Sequence, residues 1–137
     1  MSKKTNEALF YGGCHCKAVE FQVISPSDLV VWKCNCSICI MKQNHHFIVP
    51  KQKFTLIKGQ DKLTLYTFNT KVAQHYFCKI CGVQSFYYPR SNPDGVAITY
   101  NCITNKESCT SLKIEGFDGE NWETTIKKVD INKFSRL

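Results

Sequence analysis

Val19, Phe21 and Val23 alternate with Ala18, Glu20 and Gln22, the period of a half-buried strand. Leu29–Trp32 is a short apolar run that leads straight into Cys34, and Phe47-Ile48-Val49 ends at Pro50, which stops a strand or sets it at an edge. Phe54–Ile57 and Leu63–Phe68 flank Lys58-Gly59-Gln60-Asp61, a spacing that predicts a hairpin with a glycine-containing turn. Further strands are predicted at 74–77, 84–88, 96–100 and 112–117, with a turn at Ser91-Asn92-Pro93-Asp94-Gly95. Only Asn121–Val129 has helical spacing, with Trp122, Ile126 and Val129 four and three residues apart behind Asp118-Gly119. The pattern predicts an all-β chain of antiparallel sheets with a short C-terminal helix. No repeat or linker divides it. The expected layout is one domain over 9–130, a disordered N-terminus over 1–8 and a tail over 131–137.

A chain of 137 residues can bury about two-thirds of its extended surface, so a core is possible without staples. With 43% hydrophobic and 21% charged residues it is not a disordered chain. No apolar run approaches the roughly 18 residues of a membrane span. The first seven residues lack the apolar stretch of a secretory signal. These features suggest the cytoplasm, with the nucleus also within reach of so small a chain.

Nine cysteines, at 14, 16, 34, 36, 39, 78, 81, 102 and 109, change the picture. In a reducing compartment such a set points to metal rather than to disulfides. The number is odd, and Cys-x-Cys pairs are too close to bridge without strain. Zinc is what such spacings usually hold. The formal charge is +7; seven thiolates subtract seven and two Zn²⁺ return four, leaving +4. Residues 29–93 carry eight lysines and Arg90 against Asp61 alone, while Glu115, Asp118, Glu120 and Glu123 make the end acidic. A basic middle attracts anionic ligands, nucleic acid or small carboxylates among them. Sixteen of the eighteen cations are lysine, however, and bidentate phosphate recognition prefers arginine.

Three cysteine clusters stand out. Cys78-Lys79-Ile80-Cys81-Gly82 reads as a zinc knuckle, with Gly82 supplying the left-handed conformation its turn requires. Cys14 and Cys16, the other isolated pair, would complete a closed four-thiolate site that serves structure. Cys34, Cys36 and Cys39 place three thiols within six residues. Three ligands and an open position are how zinc is held for chemistry. A second structural site completed by His45, His46, Cys102 or Cys109 fits the spacing equally well.

Together, Gly-x-Cys-x-Cys, Cys-x-Cys-x-x-Cys and Phe-Cys-x-x-Cys-Gly at these separations resemble the glutathione-dependent formaldehyde-activating enzyme family. The stretches 43–50, 66–70, 81–87 and 89–93 and the Phe117–Trp122 segment are especially similar to its eukaryotic centromere protein V branch. The resemblance covers about residues 9–130. It implies a small zinc-binding β-tent of antiparallel sheets. It also implies a structural zinc on Cys14, Cys16, Cys78 and Cys81, and a catalytic zinc on Cys34, Cys36 and Cys39. The activity implied is that of a carbon–sulfur lyase condensing formaldehyde with glutathione, the co-substrate, to S-(hydroxymethyl)glutathione. Animal members of that branch carry a long basic N-terminal extension linked to chromatin and microtubules, and this chain has about eight residues before the domain.

Other residues carry lesser signals. His75 reads as a packed histidine, and His15, between two ligands, should point away from their metal. Only one of His45 and His46 can face the second zinc from a strand. Cys102 and Cys109 are left over and read as small buried or surface thiols, with an approach of Cys102 to the open zinc, after the 96–100 strand, as the alternative. Gln84, Ser85, Tyr87 and Arg90 could line a pocket for a peptide-like ligand, though half must face away if they form a strand. The favoured function is thus an enzyme acting on a small thiol and aldehyde. The alternative is a non-enzymatic zinc module binding chromatin, nucleic acid or a protein partner. Free strand edges allow a homodimer.

Overall fold

The computed structural model describes residues 6–68 and 71–135. Chain order runs β1 (Glu7–Gly13), β2 (Glu20–Pro26), β3 (Asp28–Cys34), α1 (Ser37–Lys42), β4 (His46–Pro50), β5 (Phe54–Lys58), β6 (Leu63–Tyr66) and β7 (Gln74–Cys78). It continues with β8 (Phe86–Tyr88), β9 (Gly95–Thr99), β10 (Ser111–Phe117) and α2 (Trp122–Lys128). The mostly antiparallel strands form a three-stranded sheet, β1-β2-β5, and a seven-stranded sheet, β10-β3-β4-β9-β8-β7-β6. The all-β expectation with a short C-terminal helix therefore holds. One ladder departs from it: β10 runs parallel to β3.

The core follows from period-two alternation in the central strands of the large sheet. Phe47 and Val49 of β4, Phe86 of β8 and Val96 and Ile98 of β9 face the small sheet, where they meet Phe10, Phe21 and Val23. The intervening residues Ile48, Tyr87 and Ala97 face the other way, against Trp32, Phe117 and Ile131. A strand buried on both faces reads as a continuous apolar run, as 47–49 does. The second face holds the pocket described below.

Several expectations are corrected. The 54–57 and 63–68 strands do not pair as a hairpin: β5 pairs with β2 and β6 with β7, in different sheets. Gly59, at φ +101°, and the 3-10 turn Gln60–Lys62 carry the chain from one sheet to the other. Residues 7 and 8, read as part of a frayed start, lie in β1, which pairs with β2 over its whole length; residues 1–5 lie outside the described residues. Residues 131–135, read as a tail, form a 3-10 turn with Ile131 buried against the large sheet. The end of the triplet's segment, with Cys39, is helical in α1, a turn too short for apolar periodicity to announce.

Candidate metal centres and the adjoining cavity

Four thiols converge where the small sheet meets the end of β7. The Sγ atoms of Cys14, Cys16, Cys78 and Cys81 all lie within 4.8 Å of one another. Cys14 and Cys16 sit in the turn after β1, and Cys16 reaches Cys78 across 62 residues of sequence. Their Sγ separations are 3.6 Å for Cys14–Cys16 and 3.6 Å for Cys16–Cys78. A tetrahedral ion with bonds of about 2.3 Å to sulfur sets its ligands about 3.8 Å apart, so the four thiols fit zinc. Backbone donors support the sulfurs: Val19 N–H points at Cys14 Sγ (3.3 Å) and Ile80 N–H at Cys78 Sγ (3.4 Å). Gly82, at φ +76°, turns the knuckle and donates its N–H to the Cys78 carbonyl at 2.8 Å. His15, between two of the thiols, is exposed.

The triplet is built differently. Cys34 ends β3, Cys36 is the extended residue that opens α1, and Cys39 lies in its first turn. The three Sγ atoms lie within 4.8 Å of one another. Among the described residues no histidine or carboxylate joins them at that distance. Cys36 is the readiest thiolate: hydrogen bonds from Cys34 and Cys39 outweigh burial and bring it down to about 2. Cys39 is pushed far up, chiefly because its hydrogen bonds to Cys34 and Cys36 hold its proton, and then by burial.

A clamp holds the segment after β10 over the triplet. Asn35, between Cys34 and Cys36, accepts the Glu120 N–H at 3.1 Å and donates its amide to Asp118 Oδ1 at 3.0 Å. Asp118 also receives Asn121 Nδ2 at 2.8 Å, and these bonds, Asn121's first, hold its carboxyl below the usual range. The clamp brings Gly119 so close that a Cβ there would lie 2.6 Å from both Cys34 Sγ and Cys36 Cβ. Only glycine fits at that approach.

The triplet opens on a cavity of about 390 Å³. One wall is an aromatic stack in which Phe68 lies on His75 (5.6 Å between ring centres, 28°) and His75 on Tyr87 (4.9 Å, 13°). His46 meets Tyr87 edge-on. Its Nδ1–H donates to the Asn44 carbonyl at 3.0 Å, so Nε2 accepts the Tyr87 hydroxyl at 3.3 Å. Burial lowers His46 and His75 to about 4, so both imidazoles are neutral at pH 7. Burial, and then the charge of the thiolates, keeps Tyr87 protonated. Arg90, Trp122 and Trp32 also line it.

The structure thus brings together both thiol groups expected from the spacing. His46 faces the triplet's cavity and His45 does not; His75 is packed, as expected. Tyr87 and Arg90 line the cavity, whereas Gln84 and Ser85 are buried away from it. Cys102 joins neither thiol group, and the alternative that it approaches the triplet is not met. Its thiol, raised to about 11 by burial and then by the charge of Cys14, lies on the four-thiol side of the molecule, because the 3-10 turn after β9 packs beside β1. Cys109 donates to the Ser111 carbonyl at 3.0 Å. Sequence reasoning missed Asn35, Gly119, Trp32 and Phe68. Asp118-Gly119 was visible, but as a helix start rather than a cover for the cysteines.

A family model for the glutathione-dependent formaldehyde-activating enzyme matches residues 9–117. A solved structure of a Rhodobacter sphaeroides protein superposes with a TM-score of 0.64 at 28% identity, covering 77% of this chain and 99% of that one. The chain belongs to the glutathione-dependent formaldehyde-activating enzyme family. Among the described residues no helix is long and apolar enough to cross a membrane.

Proposed function

We propose that this chain is a zinc-dependent carbon–sulfur lyase that joins formaldehyde to a glutathione-type thiol. Cys14, Cys16, Cys78 and Cys81 would hold a structural zinc, and Cys34, Cys36 and Cys39 a second zinc with one position open. The observation that carries this reading is a set of three convergent thiols, with no fourth side-chain ligand among the described residues, facing a cavity large enough for a small ligand. Family membership supplies the substrate class.

The reaction needs no oxidant. The thiol sulfur bonds to the aldehyde carbon, the C=O π pair moves onto oxygen, and the thiol's proton ends there. Zinc, when bound, supplies a Lewis acid that favours the thiolate form of the incoming thiol at neutral pH. Three thiolate ligands already overcompensate a divalent ion, which weakens that effect. Positioning by the cavity walls therefore contributes much of the rate gain. The stacked Phe68, His75 and Tyr87 wall gives a rigid, water-poor surface against which two small reactants are held. The Tyr87 hydroxyl, committed to His46, keeps that wall in one arrangement.

Native mass spectrometry with and without glutathione tests the reading. Two zinc ions per chain plus one glutathione, with the adduct lost in Cys36→Ser, is the expected result. Two zinc ions and no adduct at millimolar glutathione would sink it and favour a zinc-stabilised binding module, for which partner binding at varied salt is the next measurement.

A further inference from the structure

We infer that Arg90 makes the cavity selective for thiols that also carry a carboxylate. This rests on the cavity being a thiol site. Among the described residues that line it, Arg90 is the one side chain with a positive charge, since His46 and His75 are neutral. The rest of the electrostatic balance is negative: Glu120 shares the same space, and three thiolates around one divalent ion would add a further net negative charge. An anionic ligand is repelled there unless its charge meets Arg90.

Arg90 is built to meet it. Its guanidinium lies 3.7 Å over the Trp122 ring, and its Nη2 donates to Glu123 Oε1 at 2.5 Å. One face and one edge are thereby fixed. A guanidinium has five N–H donors, more than this single contact uses, and its planar fork matches a carboxylate. Glu123 is three-quarters exposed (75%), so water screens its hold, whereas the Arg90 side chain is only 29% exposed. Two further lining residues carry polar atoms without partners: Trp32 Nε1 and His75 Nδ1 are both buried and unbonded. Buried polar groups are nearly always paired, and the Trp32 indole N–H can only donate, so it offers a hydrogen bond to an acceptor oxygen of a ligand. The cavity thus presents thiols at Cys34, Cys36 and Cys39 and a carboxylate-matching guanidinium at Arg90. A thiol bearing a carboxylate satisfies both, and a neutral thiol satisfies one.

Binding to the zinc-loaded chain, read by calorimetry and by quenching of tryptophan fluorescence, tests this with matched probes: 3-mercaptopropionate against its amide, and glutathione against its glycine ethyl ester. The wild-type chain should bind 3-mercaptopropionate more tightly than its amide by about 10- to 100-fold, the worth of a hydrogen bond to a charged group. Arg90→Met should abolish that preference while the amide's affinity and the zinc count stay within twofold. Arg90→Lys should recover only part of it. Equal binding of acid and amide by wild type, or a preference that survives Arg90→Met, overturns the role of Arg90 and leaves the thiol reading intact. Failure of wild type to bind any of the four probes overturns both.

Discussion

The two cysteine groups share one ligand chemistry and differ in what they connect. Cys14 and Cys16 lie in the turn after β1, and Cys78 and Cys81 lie at the end of β7. A metal there closes a loop of more than sixty residues and ties the small sheet to the large one. Cys34, Cys36 and Cys39 lie within one β3–α1 connection, so a metal on them closes almost no loop. The entropy recovered by a cross-link grows with the length of chain it constrains. Backbone N–H groups point at sulfurs in both, but the first group has four thiols, whereas the second has three and faces a cavity. On the proposed reading, identical side chains would make a fastening in one place and a reactive centre in the other, and span together with the number of thiols separates the two.

The largest test sets one cysteine against another. Cys78→Ser removes a fully buried thiol of the group that joins the sheets. Structural zinc sites contribute on the order of 10–16 kcal/mol to folding in small domains, as much as a domain's whole net stability. Cys78→Ser should therefore abolish the cooperative thermal transition in circular dichroism. Cys36→Ser should keep that transition, with a midpoint within several degrees of wild type and one zinc fewer per chain. If Cys36→Ser unfolds the protein as well, the contrast between the two groups is wrong.

Acid should act on the triplet's side of the molecule first. The buried histidines, His46 and His75, both line the cavity, while His15 beside the four-thiol group is exposed. Burial holds His46 at about 4 in the folded state, below its ordinary 6.5. Between those values the unfolded chain binds the proton and the folded chain does not. Stability therefore rises with pH across the window and is lost as pH falls from 6.5 towards 4, by on the order of 3 kcal/mol for this residue. Denaturant midpoints at pH 6.5, 5.5 and 4.5 should show the slope, and His46→Gln should flatten it. Thiolate protonation affects both proteins alike, so the difference in slope isolates His46. Parallel slopes would remove the imidazole from the account.

Legibility from sequence followed the range of the interaction. Strands such as 19–23 and 47–49 were readable because burial imposes a period of two on adjacent residues. The cysteine groups were readable because short spacings such as Cys-x-x-Cys already force sulfurs together. The partners of 54–57 and 63–66 were not, because a local turn signal at Gly59 says nothing about which sheet receives each arm. Asn35 and Gly119 escaped for a similar reason. Each is ordinary by itself, and the clamp between them joins segments 85 residues apart. The cavity's aromatic wall likewise draws Phe68, His75 and Tyr87 from three separate stretches.

Gly119 offers the finest test of the comparison, because it touches one group and leaves the other alone. A Cβ at that position would lie 2.6 Å from Cys34 Sγ and 2.9 Å from the Cys36 backbone nitrogen. Neither neighbour can yield freely: Cys34 ends a strand paired with β10, and Cys36 begins α1. The segment cannot simply lift, since Asn35 holds Glu120 and Asp118 on either side. Gly119→Ala must therefore displace the sulfurs by a few tenths of an ångström or break the Asn35 clamp. Disturbing the supports of a metal site typically costs 10- to 100-fold in affinity, about 1.4–2.7 kcal/mol. Zinc titration against a competing chelator should show that loss at one site of two, with the tighter site and the thermal midpoint unmoved. Asn35→Ala in the same background should restore part of the lost affinity, because a freed segment can retreat from the added methyl. Equal weakening of both sites, or of neither, would mean that the cover over the triplet is not what shapes it.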